Sequence, residues 1–113
     1  MRKSTSILAL TSAAGILIAA TNGANLNGVE QTTTLNCNGG PASVSGVDNI
    51  VSITGNCSSV LVDGTDNEIR ISITSRANIT VKGVDNRIYW TGPKGTKPRV
   101  KISGVDNVVL RAK

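Results

Sequence analysis

The chain has no histidine and no phenylalanine, and only one tryptophan, one tyrosine, one methionine and two cysteines among its 113 residues. Lack of histidine removes the commonest general base and every Ser-His or Cys-His arrangement for nucleophilic catalysis. No G-x-S-x-G, Walker loop or zinc-protease motif takes its place, so no catalytic residues and no enzyme activity are expected. Two aromatic residues, Tyr89 and Trp90, make no stacking platform for single-stranded nucleic acid, and no nucleic-acid partner is expected. The cysteines, Cys37 and Cys57, are far from C-x-x-C spacing and have no histidine beside them, which argues against zinc and redox chemistry; no metal and no cofactor are expected.

Long apolar runs are also missing. The segment from Ile7 to Ala20 is broken by Thr11, Ser12 and Gly15, and its clean apolar length falls short of the ~20 residues of a bilayer span. With Arg2 and Lys3 before it and small residues after it, it has the order of a secretory signal peptide rather than a stable transmembrane anchor. The expected organisation is a signal peptide over residues 1–20, with cleavage after Ala20 or alternatively Ala24, and one domain over 21–113 of a protein that is periplasmic, cell-surface or secreted. No cysteine lies close behind the run, so a lipid-modified N-terminal cysteine is not supported.

What is present is repetition. Gly46-Val47-Asp48-Asn49, Gly64-Thr65-Asp66-Asn67, Gly83-Val84-Asp85-Asn86 and Gly104-Val105-Asp106-Asn107 recur at steps of 18, 19 and 21 residues (64−46, 83−64, 104−83). A decayed copy, Gly28-Val29-Glu30-Gln31, stands 18 residues before the first (46−28). Val44, Val62, Val81 and Ile102 sit two residues before the glycines, and Ala42, Val60, Ile79 and Val100 four before. Val51, Ile69, Ile88 and Val109 follow two residues after the Asn, with Ile53, Ile71, Trp90 and Arg111 two further on. This period-two alternation on both sides of a turn predicts two short half-buried strands per repeat.

So short a unit cannot bury its apolar face alone. Stacking the repeats at the ~4.8 Å spacing of paired strands aligns each apolar position with its equivalents. The expected fold is all-β, a small parallel β-solenoid of about five coils, of either hand, with two short strands per coil. An antiparallel sandwich spaces its strands similarly, but it does not bring identical turns into register.

In that frame the glycines supply the positive φ of a sharp bend, the asparagines form an interior amide ladder, and the aspartates cap the turn by accepting backbone N–H bonds. The structural ladder is then Gly46, Asp48, Asn49, Gly64, Asp66, Asn67, Gly83, Asp85, Asn86, Gly104, Asp106 and Asn107. A column of aspartates could instead hold calcium, but calcium-binding solenoids use a denser G-G-x-G-x-D nonapeptide. The cysteines precede their corners by nine and seven residues (46−37, 64−57), which predicts a two-residue insertion at Asn38-Gly39-Gly40-Pro41 and near-equivalent places in adjacent coils. Stacked cysteines in an exported protein read as a disulfide.

The repeat is interrupted at Thr91-Gly92-Pro93-Lys94-Gly95-Thr96-Lys97-Pro98, expected to protrude as a charged loop. Tyr89, Lys94, Lys97 and Arg99 on or near it are the candidate binding residues, against the plainer reading of a tolerated insertion. The formal charge is +5, or +3 once Arg2 and Lys3 are removed, and the cations concentrate in the second half. Such a surface suits anionic glycan or lipid headgroups, or simply keeps the domain solvated.

The repeated G-V-D-N, preceded by V-x-V-x or I-x-V-x and followed by x-I-x-I or x-I-x-W, resembles the bacterial exported family called domain of unknown function 3060. The resemblance runs from about Leu26 to Leu110 and implies an exported protein with no assigned activity. Two function classes follow: a small structural or binding module of the envelope or extracellular space, with an envelope protein or polysaccharide as partner, and a self-associating fibre subunit of curli-like architecture. Against the second, Arg111 at a core-equivalent position is expected to cap the last coil and hinder end-to-end growth.

Overall fold

In the computed structural model, residues 23–112 are described, so the expected leader over residues 1–20 lies outside them. The described chain is strand throughout its regular parts: β1 (Ala24–Val29), β2 (Thr32–Asn36), β3 (Pro41–Val47), β4 (Ile50–Thr65), β5 (Glu68–Val84), β6 (Arg87–Thr91), β7 (Arg99–Val105) and β8 (Val108–Arg111). Every pairing is parallel, and the partners are equivalent positions of successive repeats. The described residues therefore form a parallel β-solenoid of five coils. Cleavage after Ala24 would cut into β1, whose Ala24 pairs with Ala42.

Two strand stacks form the walls. In the first, Gly28, Gly46, Gly64, Gly83 and Gly104 lie in one register row through β1, β3, the end of β4, the end of β5 and β7. In the second, Thr33, Val51, Ile69, Ile88 and Val109 form the matching row. β4 and β5 are long because each rounds a corner, ending one coil and starting the next, with register shifts between Ile53 and Ser59.

Alternation then decides what is buried. Ala42, Val44, Val60, Val62, Ile79 and Val81 face inward from the first wall, and Val51, Ile53, Ile69, Ile71, Ile88 and Trp90 from the second. The inward positions of the first coil, Ala24, Leu26 and Leu35, pack against this column from one end.

The other end is open. Val100 and Ile102 hold inward register positions yet remain 45% and 46% exposed, since no described coil stacks on them. Arg111, expected to cap this end, covers part of it. Its guanidinium lies 5.1 Å from the centre of the Trp90 ring, and Nη2 donates to Gly92 O at 3.3 Å. It covers one residue of the preceding coil and leaves the β7 side bare, because a cation gains more over an aromatic face with its head in water than inside an aliphatic column.

Cys37 and Cys57 are disulfide-bonded, with Cα atoms 5.7 Å apart and 20 residues between them in sequence. Their places differ from those expected. Asn36 pairs with Thr54 and Pro41 with Ser59, so both corners span five steps (41−36, 59−54) and the two-residue insertion does not exist. Cys37 comes one residue into its corner and Cys57 three residues into its own, so the bridge runs diagonally. The equivalent residues are Asn38 and Asn56, both left-handed at φ 50° and 55°, and the cysteines flank them from opposite sides.

Candidate functional site

Two edges run the length of the solenoid. On the first, each coil turns through Gly-x-Asp-Asn, and the Asn side chains point inward. Asn67 Oδ1 accepts from Asn49 N at 3.1 Å and Asn49 Nδ2 at 2.9 Å, while Asn67 Nδ2 donates to Asn86 Oδ1 and Gly46 O, both at 3.0 Å. The same unit repeats from Asn86 to Asn107, and at the upper end Gln31 N donates to Asn49 Oδ1 at 3.0 Å. Asn49, Asn67 and Asn86 are fully enclosed, so the amides satisfy one another and the turn backbone where water cannot.

The glycines belong to the same device. A Cβ on Gly64 would overlap the carbonyl oxygen of Gly46, the oxygen to which Asn67 donates. The row of glycines thus lets carbonyls of adjacent coils approach closely enough for the ladder to form.

The aspartates act differently from the expectation. Asp48, Asp66, Asp85 and Asp106 are exposed and left-handed, φ 58–59°, and among the described residues no backbone N–H donates to their carboxylates. Their contribution is tolerance of the left-handed conformation, which Asp accepts more readily than other side chains with a Cβ. With Glu30 at φ 55° they make a solvated acidic column, and among the described residues no group of three or more ligands is arranged to hold a metal ion.

The second edge carries the connections from one coil to the next, and here lengths vary. From Thr54 to Ser59 takes five steps, from Ser72 to Asn78 six, and from Thr91 to Arg99 eight (59−54, 78−72, 99−91). The longest connection, expected to protrude, is exposed at Pro93, Lys94 and Gly95 and anchored at Thr96 and Lys97. Thr96 is buried and donates its hydroxyl to Pro93 O, its backbone N–H closes the same turn at 3.1 Å, and Lys97 N donates to Ser75 O at 3.2 Å. A buried hydroxyl needs a partner, and the turn supplies one.

Folding this loop back against the preceding corner creates a concavity of about 600 Å³ lined by Ser75, Arg76, Asn78, Gly95, Lys97 and Arg99. Cationic side chains from two coils line it, no carboxylate does, and Ser75 and Asn78 add neutral hydrogen-bonding groups. Of the expected binding residues, Lys97 and Arg99 lie here; Lys94 does not line it, and Tyr89 is elsewhere. Tyr89 stands on the outer face of β6 under the guanidinium of Arg70, 4.9 Å from the ring centre, beside its register partner. Trp90 is a core residue.

Arg76 is not among the residues the sequence singled out for binding. The legible signal was the one-residue lengthening of its repeat, which places Arg76 on the corner directly before Lys97 in the stack. Among the described residues, no helix is long and apolar enough to cross a membrane.

The family model described as "Protein of unknown function (DUF3060)" matches residues 44–104, more than half of the chain. No curated protein and no solved structure matches the chain.

Proposed function

From a chain that belongs to this family of proteins of unknown function, we propose an exported, non-enzymatic binding module whose cleft on the variable edge takes an anionic polysaccharide of the cell envelope. One observation carries the reading: Arg76, Lys97 and Arg99 reach one concavity from successive coils with no carboxylate among them. A planar guanidinium pairs with carboxylate or phosphate through two parallel hydrogen bonds, so Arg76 and Arg99 suit an acidic repeating polymer, with Lys97 as a point charge between. Export is supported by the disulfide, a bond that persists in oxidising compartments.

Affinity electrophoresis in gels containing teichoic acid or an acidic capsular polysaccharide tests this. The native protein should be retarded, with the retardation weakening as salt rises. The R76S/K97S/R99S variant should migrate as it does in a gel without polymer. Unchanged retardation of the triple variant would remove the cleft as the binding surface.

A second reading, a self-assembling fibre subunit, is favoured by the exposed inward residues Val100 and Ile102 of the last coil.

A further inference from the structure

The two ends of the solenoid are unlike and complementary. At the C-terminal end the amide ladder stops with donors to spare. Asn107 Nδ2 donates to Gly83 O at 2.9 Å and Ser103 O at 3.0 Å, but the backbone N–H of Asn107 has no acceptor among the described residues. In each coil above, the equivalent N–H is taken by the side-chain oxygen of the next coil's amide, as Asn86 N is by Asn107 Oδ1.

At the N-terminal end the reverse holds. Gln31 occupies the ladder position of the first coil, and its Nε2 donates to Val29 O at 3.1 Å. Among the described residues nothing donates to its Oε1. Among the described residues, one end thus presents a free ladder donor and the other a free ladder acceptor.

The apolar rows of the first wall match as well, while on the second wall Val109 would meet Thr33 and Arg111 would meet Leu35. Continued by one step, the register sets Val100 against Ala24, Ile102 against Leu26 and Gly104 against Gly28. Both edges are parallel-pairing strands whose outer backbone groups have no partner among the described residues, so the next layer needs no new geometry.

Charge selects which ends meet. The last coil, residues 99–111, holds Arg99, Lys101 and Arg111 against one carboxylate, Asp106; the first coil, residues 24–36, holds a single charge, Glu30. Joining two C-terminal ends would face the three cations with their own copies. Joining C-terminal to N-terminal ends opposes a basic layer to an acidic one, and Asp106 over Glu30 only repeats the spacing of the acidic column within the chain.

We infer that the C-terminal coil docks on the N-terminal coil of a second copy of this chain, head to tail and in continuous register, with Asn107 N–H donating to Gln31 Oε1 of the next copy. This rests on the self-assembly reading and gives it a polarity and a seam. A head-to-tail contact is heterologous and repeats without closing, so growth is open-ended.

The test mixes two variants of the full chain, each with one cysteine added to the native pair, N25C and K101C. Both residues are exposed on the outer face, and continued register places them ~4.8 Å apart across the seam, within disulfide reach. With Cys37–Cys57 oxidised, air oxidation of the mixture should yield mainly the N25C–K101C heterodimer, with homodimers scarce. In sedimentation velocity the native protein should shift to faster species as concentration rises, and V100D/I102D, altered only at already exposed positions, should lose the shift. A protein that stays monomeric at its highest soluble concentration overturns both the seam and the self-assembly reading. Association that gives K101C homodimers without the heterodimer overturns the head-to-tail seam and leaves self-assembly standing.

Discussion

Replacing Asn67 by alanine removes the middle rung of the amide ladder, and the structure sets the size of the effect. The side chain makes four hydrogen bonds: two accepted from Asn49 N and Nδ2, and two donated to Gly46 O and Asn86 Oδ1. All lie where the side chain is 1% exposed, so water does not replace them. At about 1 kcal/mol for each bond, the loss is about 4 kcal/mol, and the stranded N–H of Asn49 pushes it higher. For a domain of this size that corresponds to a drop in Tm of at least about 15 °C. Asp66→Ala, one residue earlier, loses no described side-chain hydrogen bond and only the residue's tolerance of φ 58°, worth about 1 kcal/mol and a drop of about 5 °C. Thermal melts followed by circular dichroism at 218 nm, roughly the strand minimum, compare the two directly. Asn86→Ala should behave as Asn67→Ala does. If all three variants melt within a few degrees of one another, the ladder is not what holds the coils in register.

Two further outcomes follow from the corners. Reducing Cys37–Cys57 frees a loop of 20 residues, for which chain entropy gives about 3 kcal/mol, so scanning calorimetry with and without reductant should show a fall of more than about 10 °C; coincident melts would mean the corner is held by its hydrogen bonds alone. Gly64→Ala should destabilise more than Asn67→Ala, since its Cβ meets backbone that cannot move aside, whereas Gly39→Ala, at φ 77° with no atom within 4 Å, should cost only about 1 kcal/mol. Equal urea midpoints for the two glycine variants would show that conformation alone, not the close carbonyl approach, requires glycine in the row.

Much of the wall was legible from spacing. Val44, Val62 and Val81, then Val51, Ile69 and Ile88, are buried where a period of two around each Gly-x-Asp-Asn places them, because a parallel stack repeats one coil's geometry in the next. Asn49, Asn67 and Asn86 were legible for the same reason: a polar residue repeated on an inward position can be satisfied only by its own copies. Three things were not legible. Counting Cys37 and Cys57 from the downstream glycines produced an insertion that does not exist, since equal distances to a landmark require equal places in the corner, and the two cysteines sit two residues apart within corners of the same length. Arg111 aligned with Ile53 and Ile71, but alignment carries no information about where a long side chain turns at an end with no neighbour. Lys97 and Arg99 were found through the broken repeat, whereas Arg76 lies on a connection lengthened by a single residue, and its meeting with Lys97 follows a contact between coils, Lys97 N to Ser75 O, that no pattern within one repeat encodes.

The two edges are under different constraints, and that difference locates the chemistry. On the Gly-x-Asp-Asn edge each residue is bound to its equivalent in the neighbouring coil: a Cβ at one glycine strikes the carbonyl of the coil before it, and a lost amide strands the N–H of the coil before it. Variation there propagates through the stack, which keeps the motif uniform and leaves its carboxylates as a solvated column. On the opposite edge the strands have already set the register before the chain turns, so connections of five, six or eight steps are accommodated without disturbing the walls (59−54, 78−72, 99−91). That freedom lets one connection fold onto another and bring three cations together, while five of the seven carboxylates stay on the far edge. On the proposed reading a polyanion would be drawn to the variable edge and repelled from the uniform one, and a head-to-tail stack would extend both edges without mixing them.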